Sequence, residues 1–155
     1  MKVTWVIVAD GSRARFFELT TDRKKHRTLQ EFDAMVAPEH RLREADLTAD
    51  RAGRTFDSKG RGRHALEPRH KARDQASDDF ARRLTEHIED ARIAGYIDNL
   101  VLIAAPRFLG QLRSRLSEKA LALVVHSIDK ELTTATSDEV AGYLPQFLPS
   151  ATIEE

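Results

Sequence analysis

The sequence predicts an α/β protein: a mixed β-sheet that opens with an antiparallel meander and carries packed helices. Three observations support this class. Val3–Ala9 and Asn99–Ala105 are near-continuous apolar runs, as expected for strands covered on both faces. Between them, about Lys71 to Ile93, apolar residues recur at helical spacing. The signals run βββ, a long gap, then α–β–α–β–α, which requires a mixed sheet with helices against it.

The elements follow in order. Val3–Ala9 is the first strand, and Asp10-Gly11 reads as a hairpin because both residue types tolerate positive φ. Arg13–Leu19 is the second strand, Thr21–Arg27 a polar turn, and Leu29–Val36 the third strand. No period is sustained from Pro38 to about Arg69, where Gly53, Gly60 and Gly62 interrupt any long element. A loop of this length is unusual in a compact domain unless functional or disordered. In the long helix Ala76, Phe80, Leu84, Ile88 and Ala91 share one face, His87 flanks it, and Gly95 is the stop. After the strand at Asn99–Ala105, Pro106 opens a helix reaching about Leu121, with Phe108, Leu109, Leu112, Leu116 and Ala120 inward. Leu123–Ile128 is a further strand. Thr136-Ser-Asp-Glu139 is a capping box opening a last helix that ends near Pro145.

At 155 residues, with 41% apolar and 32% charged residues, the chain fits one domain over 1–155. The first apolar run is too short for a membrane span or export signal, so a cytoplasmic protein without membrane insertion is expected. The absence of cysteine removes disulfides and thiolate metal sites. Net charge is zero but unevenly spread: residues 51–73 hold eight basic against two acidic side chains, a surplus of six balanced elsewhere.

Most catalytic patterns are missing. Gly53–Gly60 places Ser58 before Lys59, against the order a phosphate-binding loop requires. No H-E-x-x-H pair and no G-x-S-x-G elbow occur. Asp10 at a strand end could serve a two-metal nuclease, but the other strand ends add only Asp129, so a turn aspartate is the favoured reading. No metal or cofactor is expected. What remains is the basic segment. Its glycines allow close backbone approach, and its arginines form planar forks suited to phosphate.

Several segments taken together resemble the bacterial host-attachment protein family, described as required for attachment to host cells. They are Trp5–Phe17, including Asp10, Gly11, Arg13 and Arg15; Gly53-Arg54; Leu100–Arg113, including Pro106, Arg107, Gly110 and Arg113; and Asp129-Lys130-Glu131-Leu-Thr133. That family is in turn similar to the central domain of eukaryotic and archaeal class-one peptide-release factors and of Pelota. The resemblance implies a ribonuclease-H-like sheet. It also implies that Gly60-Arg61-Gly62-Arg63-His64 stands where release factors carry the Gly-Gly-Gln that promotes peptidyl-tRNA hydrolysis. Arg63 replaces the second glycine and His64 the glutamine, so hydrolysis is not expected.

The expectation is therefore a non-enzymatic factor associated with the ribosome or RNA. A basic loop at about 38–70 would make the contact, through Arg54, Lys59, Gly60, Arg61, Gly62, Arg63, His64, Arg69 and Arg73. The alternatives are a protein-interaction module in attachment or its regulation, and a metal-dependent hydrolase using Asp10 or His64. The sequence leaves oligomeric state open.

Overall fold

The computed structural model describes residues 2–38, 62–149 and 151–152, with the backbone alone for 62–70 and 151–152. The elements are β1 (Thr4–Ala9), β2 (Arg13–Thr21), β3 (Arg27–Val36), α1 (Gly62–Ile93), β4 (Asn99–Ile103), α2 (Pro106–Arg115), α3 (Glu118–Leu121), β5 (Val124–Ile128), α4 (Ser137–Tyr143) and β6 (Ala151–Thr152). The sheet runs β3-β2-β1-β4-β5. β1, β2 and β3 form the expected antiparallel meander, while β4 and β5 add parallel to β1. β6 pairs with the end of β2 at Thr20 and Thr21.

Alternation sorts the central strands onto two faces, as period-two geometry requires. Trp5, Ile7, Ala9, Phe16, Leu100 and Leu102 meet α1, α2 and α3 on one face. Val6, Val8, Phe17, Leu19, Val101 and Ile103 meet α4 and the segment before it on the other. The strands β1 and β4 therefore read as unbroken apolar runs because neither face sees water. The inward side of α1 comprises Phe80, Ala81, Leu84, Thr85, Ile88 and Ala91. His87 lies at its flank, its ring 5.2 Å from that of Phe16. Gly95 stops the helix at φ 80°, and Thr136 with Glu139 forms the expected capping box of α4.

Three expectations are corrected. The long helix does not wait until Lys71 but begins at Gly62, so Gly62, Arg63, His64 and Arg69 stand on helix rather than in a loop. Gly62 reads as a breaker, yet glycine is cheap at a helix start, where its amide has no intrahelical partner to lose. The helix expected over Pro106–Leu121 divides into α2 and α3. Leu116 turns extended, and the Ser117 side chain caps α3 by accepting from the Ala120 amide at 3.0 Å. That cap outcompetes continuous helix propensity.

The third correction concerns Gly11, which does not adopt positive φ. Its turn is made by Asp10, whose Oδ1 accepts from the Ser12 and Arg13 amides at 2.8 and 2.9 Å and from Ser12 Oγ at 3.0 Å. Glycine is required there for space: a Cβ at Gly11 would lie 2.9 Å from Ser77 Oγ and 3.1 Å from Ser77 Cβ on α1. The hydroxyl is not free to swing away, because it donates to Gln111 Oε1 at 2.9 Å. Gly11→Ala is expected to destabilise the protein by about 1–3 kcal/mol in urea unfolding. Ser77→Gly should cost less in that background than in the parent, with a coupling of at least about 0.5 kcal/mol. Additive effects would show that the helix does not press on this turn.

Candidate functional site

β1 and β4 are adjacent and parallel, but the chain leaves their carboxyl ends in opposite directions. From β1 it turns back into β2, and from β4 it passes through α2 towards β5. Strand ends whose connections diverge in this way are the usual ligand position in open α/β sheets. Asp10-Gly11-Ser12 follows β1 here and Ala105-Pro106-Arg107 follows β4, with Ser77 of α1 against Gly11 and Asp74 paired with Arg107.

Asp10 is half-buried and fully engaged within the chain. Besides closing its turn through Oδ1, it accepts from Thr133 Oγ1 at 3.2 Å through Oδ2. Thr133 is buried, and its hydroxyl also meets Glu131 Oε1. This ties the segment after β5 to the end of β1. Arg15 completes the tie. Its Nη1 donates to the carbonyls of Thr133 and Ala135 at 3.1 and 2.6 Å, while Nε and Nη2 grip Glu31 at 3.1 and 2.8 Å. The guanidinium carbon lies 5.0 Å from the centre of the Phe17 ring. Hydrogen bonding from Arg15 holds the Glu31 carboxyl below its ordinary range, despite partial burial acting the other way.

The other motif residues lie on α2, at the start of β2 and after β5. Pro106 occupies the first turn of α2. Arg107 pairs with Asp74 at 2.8 Å, and Arg115 of α2 pairs with Asp78, so two ion pairs bind α2 to α1. Arg113 donates to Ser127 Oγ at 2.9 Å, linking α2 to β5. Gly110 faces outward with nothing within 4 Å of a built Cβ, so packing among the described residues does not demand glycine there. Lys130 lies 5.3 Å from the centre of the Tyr143 ring, next to the exposed Asp129. Arg13 begins β2 beside Asp10.

Of the basic residues, Gly62, Arg63, His64, Arg69 and Arg73 lie on α1. Gly53, Arg54, Lys59, Gly60 and Arg61 lie outside the described residues. Residues 71–75 are all exposed, and among the described side chains of α1 the first buried one is Phe80. The Gly11–Ser77 contact sets this stretch beside the carboxyl ends of β1 and β4. Sequence reasoning missed Ser77, Gln111 and Glu31. Their signals are small polar residues on otherwise charged stretches, and nothing in their spacing marks a partner 16 to 66 residues away.

The geometry defines an α/β protein with a cluster of polar contacts at the strand carboxyl ends and a basic start to α1 beside it. The family model described as "Protein required for attachment to host cells" matches residues 5–144, and the chain belongs to that family. No curated protein matches the sequence. Among the described residues no helix is long and apolar enough to cross a membrane.

The Arg15–Glu31 pair carries a defined pH signature. Because folding lowers the Glu31 pKa, its stabilisation is present above the unfolded value of about 4.3 and is lost as pH falls through the folded value. Glu31→Gln should cost about 0.5–1 kcal/mol at pH 7, measured by urea unfolding. The difference from the parent protein should fade below about pH 4. A cost that is constant from pH 7 to pH 3 would contradict the pairing.

Proposed function

We propose that this host-attachment family protein is a non-enzymatic RNA-binding factor that associates with the ribosome through residues 51–73. One observation carries the reading. α1 begins at Gly62, well before Phe80, the first core residue among its described side chains, and its opening stretch through Arg73 holds four basic residues against Glu67. Side chains 71–75 are exposed, and of these Asp74 pairs with Arg107 of α2. The helix start adds roughly half a positive charge at its amino end. Arg54, Lys59 and Arg61 precede it in sequence and raise the surplus further.

Two further points support the reading. The sheet, with a meander on one side of β1 and parallel β/α connections on the other, agrees with the ribonuclease-H-like fold expected for a relative of the release-factor central domain. The engagement of Asp10 in its turn and in the Thr133 tie favours a structural role for that carboxylate over a catalytic one. On this account the protein works in the cytoplasm and needs no cofactor. The family description favours a second reading, a protein-interaction module in attachment or its regulation. Its discriminator is salt, since an RNA interface releases counterions and an apolar protein interface does not.

Affinity for purified ribosomes or single-stranded RNA should fall linearly with salt on logarithmic axes. Alanine at Arg63, Arg69 or Arg73 should each reduce that slope by about 0.7 on single strands. Binding indifferent to salt, or no binding at low salt, would remove the proposal.

A further inference from the structure

The amino end of β1 carries a second basic surface that the reading above does not use. Thr4 of β1 pairs with Leu19 of β2, so the β2–β3 turn lies at this end of the sheet, opposite the Gly11–Ser77 contact. The turn is rigid. The Asp22 amide donates to the His26 carbonyl at 3.0 Å, the Lys25 amide to the Asp22 carbonyl at 3.0 Å, and the His26 amide to Asp22 Oδ1 at 2.8 Å. Lys25 holds a left-handed φ of 67°. Arg23, Lys24 and Lys25 are exposed on it, with Arg27 at its base and Asp22 the one acid. The His26 amide holds that carboxyl below its ordinary range, and the His26 ring sits 3.4 Å from Asp22 Oδ2. The acid is therefore committed to the turn.

Facing the turn is the segment Gln146–Pro149. Arg27 Nη1 donates to the Pro145 carbonyl at 2.6 Å, Thr4 Oγ1 donates to the Pro149 carbonyl, and β6 pairs beside β2 just beyond. Both walls are thus fixed. Between them lies an open groove of about 930 Å³ whose lining includes Arg23, Lys25, Arg27, Phe147 and Leu148, with Asp22 the one acid on it. Phe147 is 87% exposed, the most exposed large apolar side chain among the described residues.

We infer that this groove is a nucleotide-binding site, with the base stacked on Phe147 and the phosphate held by Arg23 and Lys25. The charge of the turn selects an anion, and a groove of this size suits a small organic ligand. The exposed ring then selects among anions. A nucleobase needs only one flat face to stack on, and stacking on an aromatic beside cations is how single strands are held without sequence preference. An acidic peptide would also satisfy the charge, but its apolar side chains would find one solvent-facing ring rather than a recess. The ligand is thus a nucleoside phosphate, either free or as a unit of an RNA strand. The site is separate in space from α1 and stands or falls independently of the proposal above.

The test titrates the full chain with AMP, inorganic phosphate, hexaadenylate RNA and hexaglutamate, following amide chemical shifts. AMP should move the resonances of residues 21–27 and 146–149. Phe147→Ala should weaken AMP about tenfold and leave phosphate unchanged, while Phe147→Trp should restore binding. Arg23→Ala with Lys25→Ala should abolish both ligands. Arg69→Ala with Arg73→Ala should leave AMP unaffected, which separates this site from α1. Hexaadenylate tighter than AMP would identify a strand as the source, and equal affinity a free nucleotide. Either result supports the site. Because the substituted side chains are exposed, unfolding midpoints should not move; should Phe147→Ala shift them, Phe147→Leu replaces it. The inference is overturned if AMP and RNA leave these resonances still at millimolar concentration, if AMP binding ignores Phe147, or if hexaglutamate displaces AMP.

Discussion

Helix α1 meets the β1–β2 turn at a point with no room for a Cβ. Gly11 lies against Ser77, whose hydroxyl is fixed by Gln111 of α2. This contact sets the depth at which α1 crosses the sheet and joins three elements at the carboxyl ends of β1 and β4. It also divides the helix. Beyond it Phe80, Leu84 and Ile88 sink into the core. Before it residues 71–75 are exposed, and the sequence holds a surplus of positive charge. The same glycine that closes the fold thereby positions the element read here as functional.

The charge that leaves the chain neutral overall is segregated to suit this division. Asp74 and Asp78, the first acids after the basic stretch of α1, are taken up by Arg107 and Arg115 of α2. Those pairs are partly exposed and add little stability, but they keep acidic side chains from neutralising the helix start. On the other side of β1, Arg15 draws Glu31 and the segment after β5 together, and Asp10 is absorbed in the same tie. The polar groups of Asp10, Arg15 and Thr133 are bonded to one another and to Glu31. The two basic stretches, the start of α1 and the β2–β3 turn, lie at opposite ends of the sheet.

The α/β class, the meander, the two buried strands and the capping box of α4 were legible because each rests on a local signal: an unbroken apolar run, helical spacing, or Thr136 followed by Glu139. What escaped depends on competition between local signals or on distant partners. Gly62 is a breaker in a helix interior but tolerable at its start, and residue identity does not say which applies. Ser117 could be solvent-facing helix or a cap. Gly11 looked like a residue chosen for its φ, whereas it is chosen for the neighbour it admits. Of the motif, Asp10 and Arg15 were visible as members, but their partners Thr133, Ala135 and Glu31 come together only through the fold. The basic stretch was legible as charge; its continuation into helix was not.

The central claim is that the basic first half of α1 is the binding element and the β1–β2 turn, packed on Ser77, its mount. Hydrogen exchange on the full chain, with and without ribosomes at low salt, tests it most directly. The account predicts slowed exchange of amides from Gly62 to Gln75 on binding, reversed by high salt, with the Asp10–Arg13 turn unchanged. Slowing confined to that turn and the segment after β5, with the start of α1 unaffected, would contradict it.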